Sequence, residues 1–318
     1  MLDKITIRYY SIPMMKTVQA YGKNYFKTPG CPIAVQTICS DTLEQHDLDL
    51  TSVDHCHDFS EIVLVCSGYG IQCIDGREFP VESGDVFLLN GFSEHYFSKR
   101  ENLILYNLQF DAENLPMPEC FLRKLPGYNM FFLLEPKMRR GFRKMLHVNE
   151  EKCRELKEEF LNLKEILNSR EPGFEALAFA CFIGIVIRLA RWYPVVEEDA
   201  DSPLFRMGKI ISIMENSFTH PWTLAELAKR SCMSVNHFLR LFREATGRSP
   251  LSYLMQLRLR HAAGLLEKTD LTLSEIAERS GFYDSNYFCK QFRRHYQMTP
   301  RQYRLGNRQT EQVETVKR

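Results

Sequence analysis

The spacing of apolar residues along this chain changes character part-way. Between about Ile33 and Phe110 they come in short, β-branched runs. EIVLVCSGYGIQCIDG is broken by Gly68, Gly70 and Gly76. GDVFLLNG lies between glycines, and LILYNLQF alternates as a half-buried strand does. Short strands at this spacing predict a small barrel or sandwich. After Pro136 the period lengthens. Cys153, Leu156, Phe160, Leu163 and Leu167 follow a 3-4-3-4 spacing flanked by Lys and Glu, which predicts an amphipathic helix with a narrow apolar seam. A second helix, about Gly173 to Trp192, is apolar on most faces and is expected to be buried. Two such helices can form a dimer surface or simply pack on the strands. PVVEEDADSP, Pro194 to Pro203, is acidic, proline-bounded and aperiodic, the best linker in the chain. Everything after it is helical in pattern. The expected architecture is α+β and multidomain: residues 1–193 a β-barrel with dimerisation helices, 194–203 a linker, and 204–318 an all-α domain.

Charge sharpens that division. The whole chain carries a formal charge of only +1, but residues 203–318 hold 19 Lys+Arg against 10 Asp+Glu, a net of +9, and the remainder has a net of −8. A basic C-terminal half joined to an acidic N-terminal half points to a polyanion partner for the former. The ten cysteines show no CxxC pair and no repeated spacing, so they read as reduced, packed thiols. No apolar signal core opens MLDKITIRYY, and the longest apolar run, Ala176 to Ile187, ends at Arg188, too short to span a bilayer. A cytoplasmic protein without membrane contact is expected.

Within the basic half, one layout occurs twice. In TLAELAKRSCMSVNHFLRLFREATG, Thr223 caps a short helix, with Glu226 placed to close a capping box, and Leu224, Leu227 and Ala228 face inward. A tight turn follows at Ser231-Cys232-Met233. Ser234 then caps a second helix with Phe238, Leu241 and Phe242 inward and Asn236, His237, Arg240 and Arg243 outward. In LTLSEIAERSGFYDSNYFCKQFRRHYQMTPRQYR, Thr272 or Ser274 caps, Ile276 and Ala277 face inward and Gly281 makes the turn. Asp284 caps a helix with Phe288 and Phe292 inward and Ser285, Asn286, Cys289 and Lys290 outward, Arg293 following. Two helix-turn-helix units, about 223–245 and 272–296, are thus expected on double-stranded DNA, held at fixed separation by one helix, Pro250 to Lys268.

The residues SxxxFLRLFREATGRSPLSYLxxxRLxxAAxLL and LTLSEIAERSGFYDSNYFCKQFRRHYQMTPRQYR resemble the DNA-binding domain of the AraC/XylS family of transcriptional regulators, over about Phe205 to Leu305. The resemblance implies a seven-helix domain with both recognition helices in the major groove. It makes Asn236, Leu239 and Arg240, and Ser285, Asn286, Cys289 and Lys290, the base-facing candidates. Arg240 is suited to guanine O6/N7 and the asparagines to adenine N6/N7. Gln297 departs from the family's glycine before the Thr-Pro step, where a slightly altered turn is expected.

In the N-terminal half, His55, His57 and Glu61 precede Gly68, and Gly84 precedes His95, a layout similar to the cupin motifs. His55 and His57 point to one side of a strand. With Glu61 and His95 they offer three imidazoles and a carboxylate, a suitable set for a divalent metal ion. The alternatives are a metal-free ligand pocket and purely structural histidines; no cofactor is certain. The run HCHDFSEIVLV…G…GDVF…H, with PGYN at Pro126 to Asn129, is similar to regulators of rhamnose operons, which implies a monosaccharide effector. Tyr69, Gln72 and Tyr106 are candidate pocket residues beside the four, and His46, His147 and His220 read as ordinary surface or core residues. The expected function is an effector-controlled, DNA-binding transcriptional regulator. It is expected to be a homodimer and, following the family's habit, an activator meeting RNA polymerase, and not an enzyme. The alternatives are a metal-dependent cupin enzyme fused to a DNA-binding domain and a constitutive DNA-binding dimer.

Overall fold

The computed structural model describes residues 18–39, 54–91, 93–138, 146–193 and 203–306, the Leu204 side chain excepted. His46 and most of the expected linker, residues 194–202, lie outside them. The chain divides into two compact units: residues 1–117 with 144–185, and residues 118–143 with 186–318.

The first unit is built on an eight-stranded sheet. Its strands are β1 (Val18–Ala20), β2 (Ile33–Cys39), β3 (His55–His57), β4 (Ser60–Ile74), β5 (Arg77–Glu82), β6 (Asp85–Leu89), β7 (His95–Phe110) and β8 (Leu146–His147). The main path runs β1-β3-β7-β4-β6-β8, with β2 also on β7 and β5 also on β4. All pairs are antiparallel except β1 with β3. Gly68 and Gly70 do not break β4, as the sequence suggests they should. The strand absorbs them through bulges on either side of Ser67 and turns only at Asp75-Gly76. Gly68 is required there: its φ is +81°, and an added Cβ would stand 2.2 Å from the Asn102 carbonyl oxygen.

On one face of the sheet Val63, Val65, Phe87, Leu89, Phe97, Leu103 and Leu105 form an apolar interior. The other face is covered by α4 (Glu150–Ser169) and α5 (Phe174–Trp192). α4 buries Cys153, Leu156, Phe160 and Leu163, the expected seam, and packs on β2, β4 and β7. Phe182 of α5 meets Phe110 at 4.9 Å between ring centroids. Because both faces are covered, LILYNLQF is buried almost throughout rather than half-buried. α5 is less enclosed than its composition predicts. Phe182, Ile185 and Val186 are buried, but Leu177 is 57% exposed.

The second unit is helical. Before α4 in sequence come α1 (Glu119–Leu122), α2 (Pro126–Tyr128), a π-helical stretch (Asn129–Leu134) and α3 (Glu135–Met138). The sequence reading places no helix before Pro136, yet these turns bury Tyr128, Met130, Phe131 and Leu134. Met130 and Leu134 share a core with α6 (Pro203–Asn216), α7 (Leu224–Arg230) and α8 (Val235–Thr246). α9 (Pro250–Lys268) then serves two cores. Tyr253, Leu254 and Leu257 complete the first, and Leu259, Ala262, Ala263 and Leu266 begin the second with α10 (Leu273–Arg279) and α11 (Ser285–Tyr296).

Glu215 of α6 is buried, accepts from the Tyr253 hydroxyl and lies 3.6 Å from Arg260. Burial pushes its carboxyl up, against the Tyr253 hydrogen bond and the Arg260 charge. A carboxyl whose folded pKa exceeds its unfolded value binds more protons when folded. Stability therefore falls as pH rises from about 4.5 through the raised value. Melting of the wild type against pH is expected to show this slope, and Glu215→Gln to flatten it. Identical slopes would mean the carboxyl is not perturbed.

Candidate functional site

Two places concentrate polar chemistry. In the sheet-rich unit, β3 and the start of β7 bring His55 opposite His95 in register, and β4 places Glu61 opposite Gln109. The His57 Nδ1–H donates to the Phe59 carbonyl at 2.6 Å, and that of His95 to the Ser93 carbonyl at 2.9 Å. Each bond leaves Nε2 as the ligand-facing nitrogen. His57 Nε2 lies 3.5 Å from Glu61 Oε2, and the Gln109 amide donates to Glu61 Oε1 at 2.8 Å and to Gln36 at 3.0 Å. Burial pushes the Glu61 carboxyl up. The His57 charge and the bonds from His57 and Gln109 outweigh that and hold it below its ordinary value. Ligand atoms of His57, Glu61 and His95 all lie within 4.8 Å of one another, so these three residues fit a divalent cation. His55 stands beside them, its ring centroid 4.2 Å from that of His95, but outside that set.

The other pocket candidates divide. Gln72 is buried, and its Oε1 has no hydrogen-bond partner among the described residues. Tyr69 is exposed, with Lys99 above its ring at 5.5 Å, because the bulge before it re-phases β4. Tyr106 is buried, with Lys157 of α4 5.6 Å from its ring; it faces that helix instead. Gln109 and Asn107 were missed by the sequence reading. Their signal was two amides where LILYNLQF should carry apolar inward residues. His147 and His220 each pair with a carboxylate, Asp85 at 2.9 Å and Glu226 at 3.3 Å.

In the helical unit, α7 with α8 and α10 with α11 form two helix-turn-helix pairs. Ser234 caps α8, accepting from His237 N, and Asp284 caps α11, accepting from Asn286 N and Tyr287 N. The full capping box belongs to the second pair, between Thr272 and Glu275. In the first, Thr223 accepts from Glu226 N, while the Glu226 carboxylate turns to His220 and Arg230. Phe238, Leu241, Phe242, Phe288 and Phe292 are buried. Asn236, Arg240, Arg243, Asn286, Lys290 and Arg293 are exposed, and His237, Leu239, Ser285 and Cys289 are half-buried. The Arg240–Glu244 pair, at 3.9 Å and exposed, leaves Arg240 available. Gln297 keeps the turn that a glycine would make. Its φ is +58°, against +74° at Gly247 after α8, and its side chain donates to the Arg294 carbonyl. Arg258 of α9 holds the two pairs together by donating to the carbonyls of Phe218, Thr219 and His220.

A profile described as a helix-turn-helix domain matches residues 227–306, and one described as an AraC-like ligand binding domain matches residues 40–171, together more than half of the chain. The chain belongs to the AraC-type transcriptional regulators. As such a regulator it joins a DNA-binding domain to a ligand-binding domain. Among its relatives is the HTH-type transcriptional activator RhaR of Enterobacter sp. (strain 638), 29% identical over 256 residues, 80% of this chain and 88% of that one. The protein of the same description from Salmonella typhimurium is 29% identical over 259 residues, 81% of this chain and 89% of that one. These relatives are regulators, not enzymes. Among solved structures, the C-terminal domain of the response regulator yesN from Fusobacterium nucleatum is 39% identical over 30% of this chain and 94% of that one, with a TM-score of 0.30. No helix among the described residues is long and apolar enough to cross a membrane.

Proposed function

We propose that this AraC-type regulator is a transcriptional activator, cytoplasmic and homodimeric, switched by a monosaccharide. The observation that carries the reading is the buried cluster of His57, Glu61 and His95, braced by Gln109. A ring of acceptors and N–H donors in an apolar enclosure suits the hydroxyls of a small polyol. The activator names of the 29%-identical relatives support the direction of control, and RNA polymerase is then a partner. His57 and His95 are each 1% exposed and Glu61 3%, so a sugar reaches them only by opening the enclosure. Binding then selects one conformation over another, which is how an effector shifts a population. A divalent cation is the second reading, favoured by the 4.8 Å grouping.

The test is thermal unfolding of the full chain with a panel of monosaccharides, rhamnose included, with and without chelator. A ligand at 100 times its Kd stabilises by about 2.7 kcal/mol. A shift with one sugar supports the proposal. A shift lost with chelator assigns the cluster to a metal, and no shift with any sugar removes the carbohydrate reading.

On DNA, the domains proposed from the sequence put α8 and α11 in the major groove, with Asn236, His237, Leu239, Arg240 and Arg243 on one and Ser285, Asn286, Cys289, Lys290 and Arg293 on the other. Arg240→Ala is expected to weaken specific binding by about 1–3 kcal/mol and to relax one base position. Binding-site selection checks it. An unchanged base preference would remove Arg240 from the reading set.

A further inference from the structure

The chain joining the two helix-turn-helix pairs carries polar side chains that neither pair uses. α8 ends at Gly247, whose φ of +74° turns the backbone and whose N–H donates to the Arg243 carbonyl. Arg248 follows, its backbone N–H donating to Thr246 Oγ1 at 3.3 Å, and Ser249 then caps α9. Arg248, Ser252 and Gln256 line a cleft of about 360 Å³ from the α9 side, and Gln291, Arg294 and His295 line it from α11. The rest of its lining, Met255 and Leu259, is apolar, so no carboxylate offsets the two arginines there.

The six polar side chains are uncommitted. Among the described residues none of them enters a hydrogen bond or an ion pair. Other arginines of the same unit do: Arg258 donates to three carbonyls, Arg260 lies 3.6 Å from Glu215, and Arg304 donates to the Leu271 carbonyl. Arg248, Ser252, Arg294 and His295 are exposed, and Gln256 and Gln291 are half-buried. An open, positively charged cleft with amide and hydroxyl donors suits an extended anion.

Its position names that anion. On one side it adjoins the reading face of α8: Ser249, next to Arg248, lines a second hollow with Leu239, Arg240 and Arg243, whose one carboxylate, Glu244, is paired with Arg240. On the other side Arg294 stands one turn beyond Lys290 on α11, and residues four apart share a helix face. Two helices in successive major grooves are about 34 Å apart along the duplex. The minor groove between them, rimmed by phosphates, then crosses the chain that joins the helices.

We propose that this cleft is a phosphate-binding groove that grips the DNA backbone between the two recognition helices. It rests on the proposed seating of α8 and α11 in the major groove. Arg248 and Arg294 supply the charge, and Ser252, Gln256, Gln291 and His295 supply hydrogen-bond donors. Such contacts read no bases; they set the register and separation of the two helices that do.

The test measures the affinity of full-length Arg248→Ala, Arg294→Ala and double variants over a range of KCl concentrations. The probes are a duplex recovered by binding-site selection and a shuffled duplex of the same composition. Each single variant is expected to bind both duplexes about tenfold more weakly, with a salt slope shallower by about 1, and the double variant's slope by about 2. Arg191→Ala, which removes the same charge from an exposed position on α5, should change neither. Both groove arginines are exposed, so their variants should melt as the wild type does. Unchanged affinity and slope in the double variant would overturn the proposal, and Arg240→Ala run alongside shows whether major-groove reading stands without it. A changed base preference at constant slope would make these arginines readers instead. Intact DNA binding with lost recruitment of RNA polymerase would make the cleft a protein-docking surface. Either result overturns the phosphate groove.

Discussion

Gly281→Ala should destabilise the helical unit by on the order of 3 kcal/mol, while Cys232→Ala, at the matching turn of the first helix-turn-helix pair, costs about 0.5 kcal/mol or less. Both residues have left-handed backbones, φ +80° at Gly281 and +52° at Cys232. Cys232 already carries a Cβ there and is exposed, so trimming it to alanine changes little. At Gly281 an added Cβ would lie 2.7 Å from the Thr219 Cα and 3.0 Å from Arg258 Nε. The Thr219 backbone belongs to the segment that Arg258 clamps, so it cannot move without loosening the link between the two pairs. Urea unfolding followed by helical circular dichroism measures both variants, and DNA affinity should fall with Gly281→Ala. Equal losses at the two turns would show that close approach at Gly281 contributes nothing.

Glu61→Ala is the second large effect, expected to cost about 3–5 kcal/mol because it breaks a buried pair from one side only. Gln109 loses an acceptor and His57 its carboxylate neighbour, all inside an enclosure that water does not reach. Glu61→Gln, which keeps an acceptor for Gln109, should lose less. Tyr69→Ala, on an exposed part of the same strand, should lose least. Chemical denaturation of the three variants orders them. A Glu61→Ala protein as stable as Tyr69→Ala would mean the cluster is not held together by its carboxylate.

The helical half was the more legible in sequence because its determinants are local. Caps, turns and apolar faces at three- and four-residue spacing are each settled within about one turn of helix. Thr223, Ser234 and Asp284 cap where their spacing placed them, and Pro250–Lys268 is one helix. Even there, which pair closed its capping box was not local: Glu226 has His220 and Arg230 to choose from, and Glu275 turns back to Thr272. That α9 serves two cores, and that Arg258 bridges to residues forty positions earlier, cannot be read from any window of sequence.

By itself the sequence determined both helix-turn-helix pairs, with Asn236, Arg240, Arg243, Asn286, Lys290 and Arg293 exposed as expected, and the family. It also showed that histidines and a carboxylate share the strands of the first half. The tertiary structure alone decided which of those side chains meet. Bulges in β4 send Tyr69 outward, and cover from α4 and α5 on one face, with the apolar interior on the other, buries both faces of β7. The short helices of 119–138 join the C-terminal core through Met130 and Leu134, with buried Asn129 donating to Ser212 at 2.8 Å. The physical reason is that a strand's period fixes only which residues share a face. A one-residue slip reverses the faces, and slips are set by distant partners such as Asn102 and Leu105.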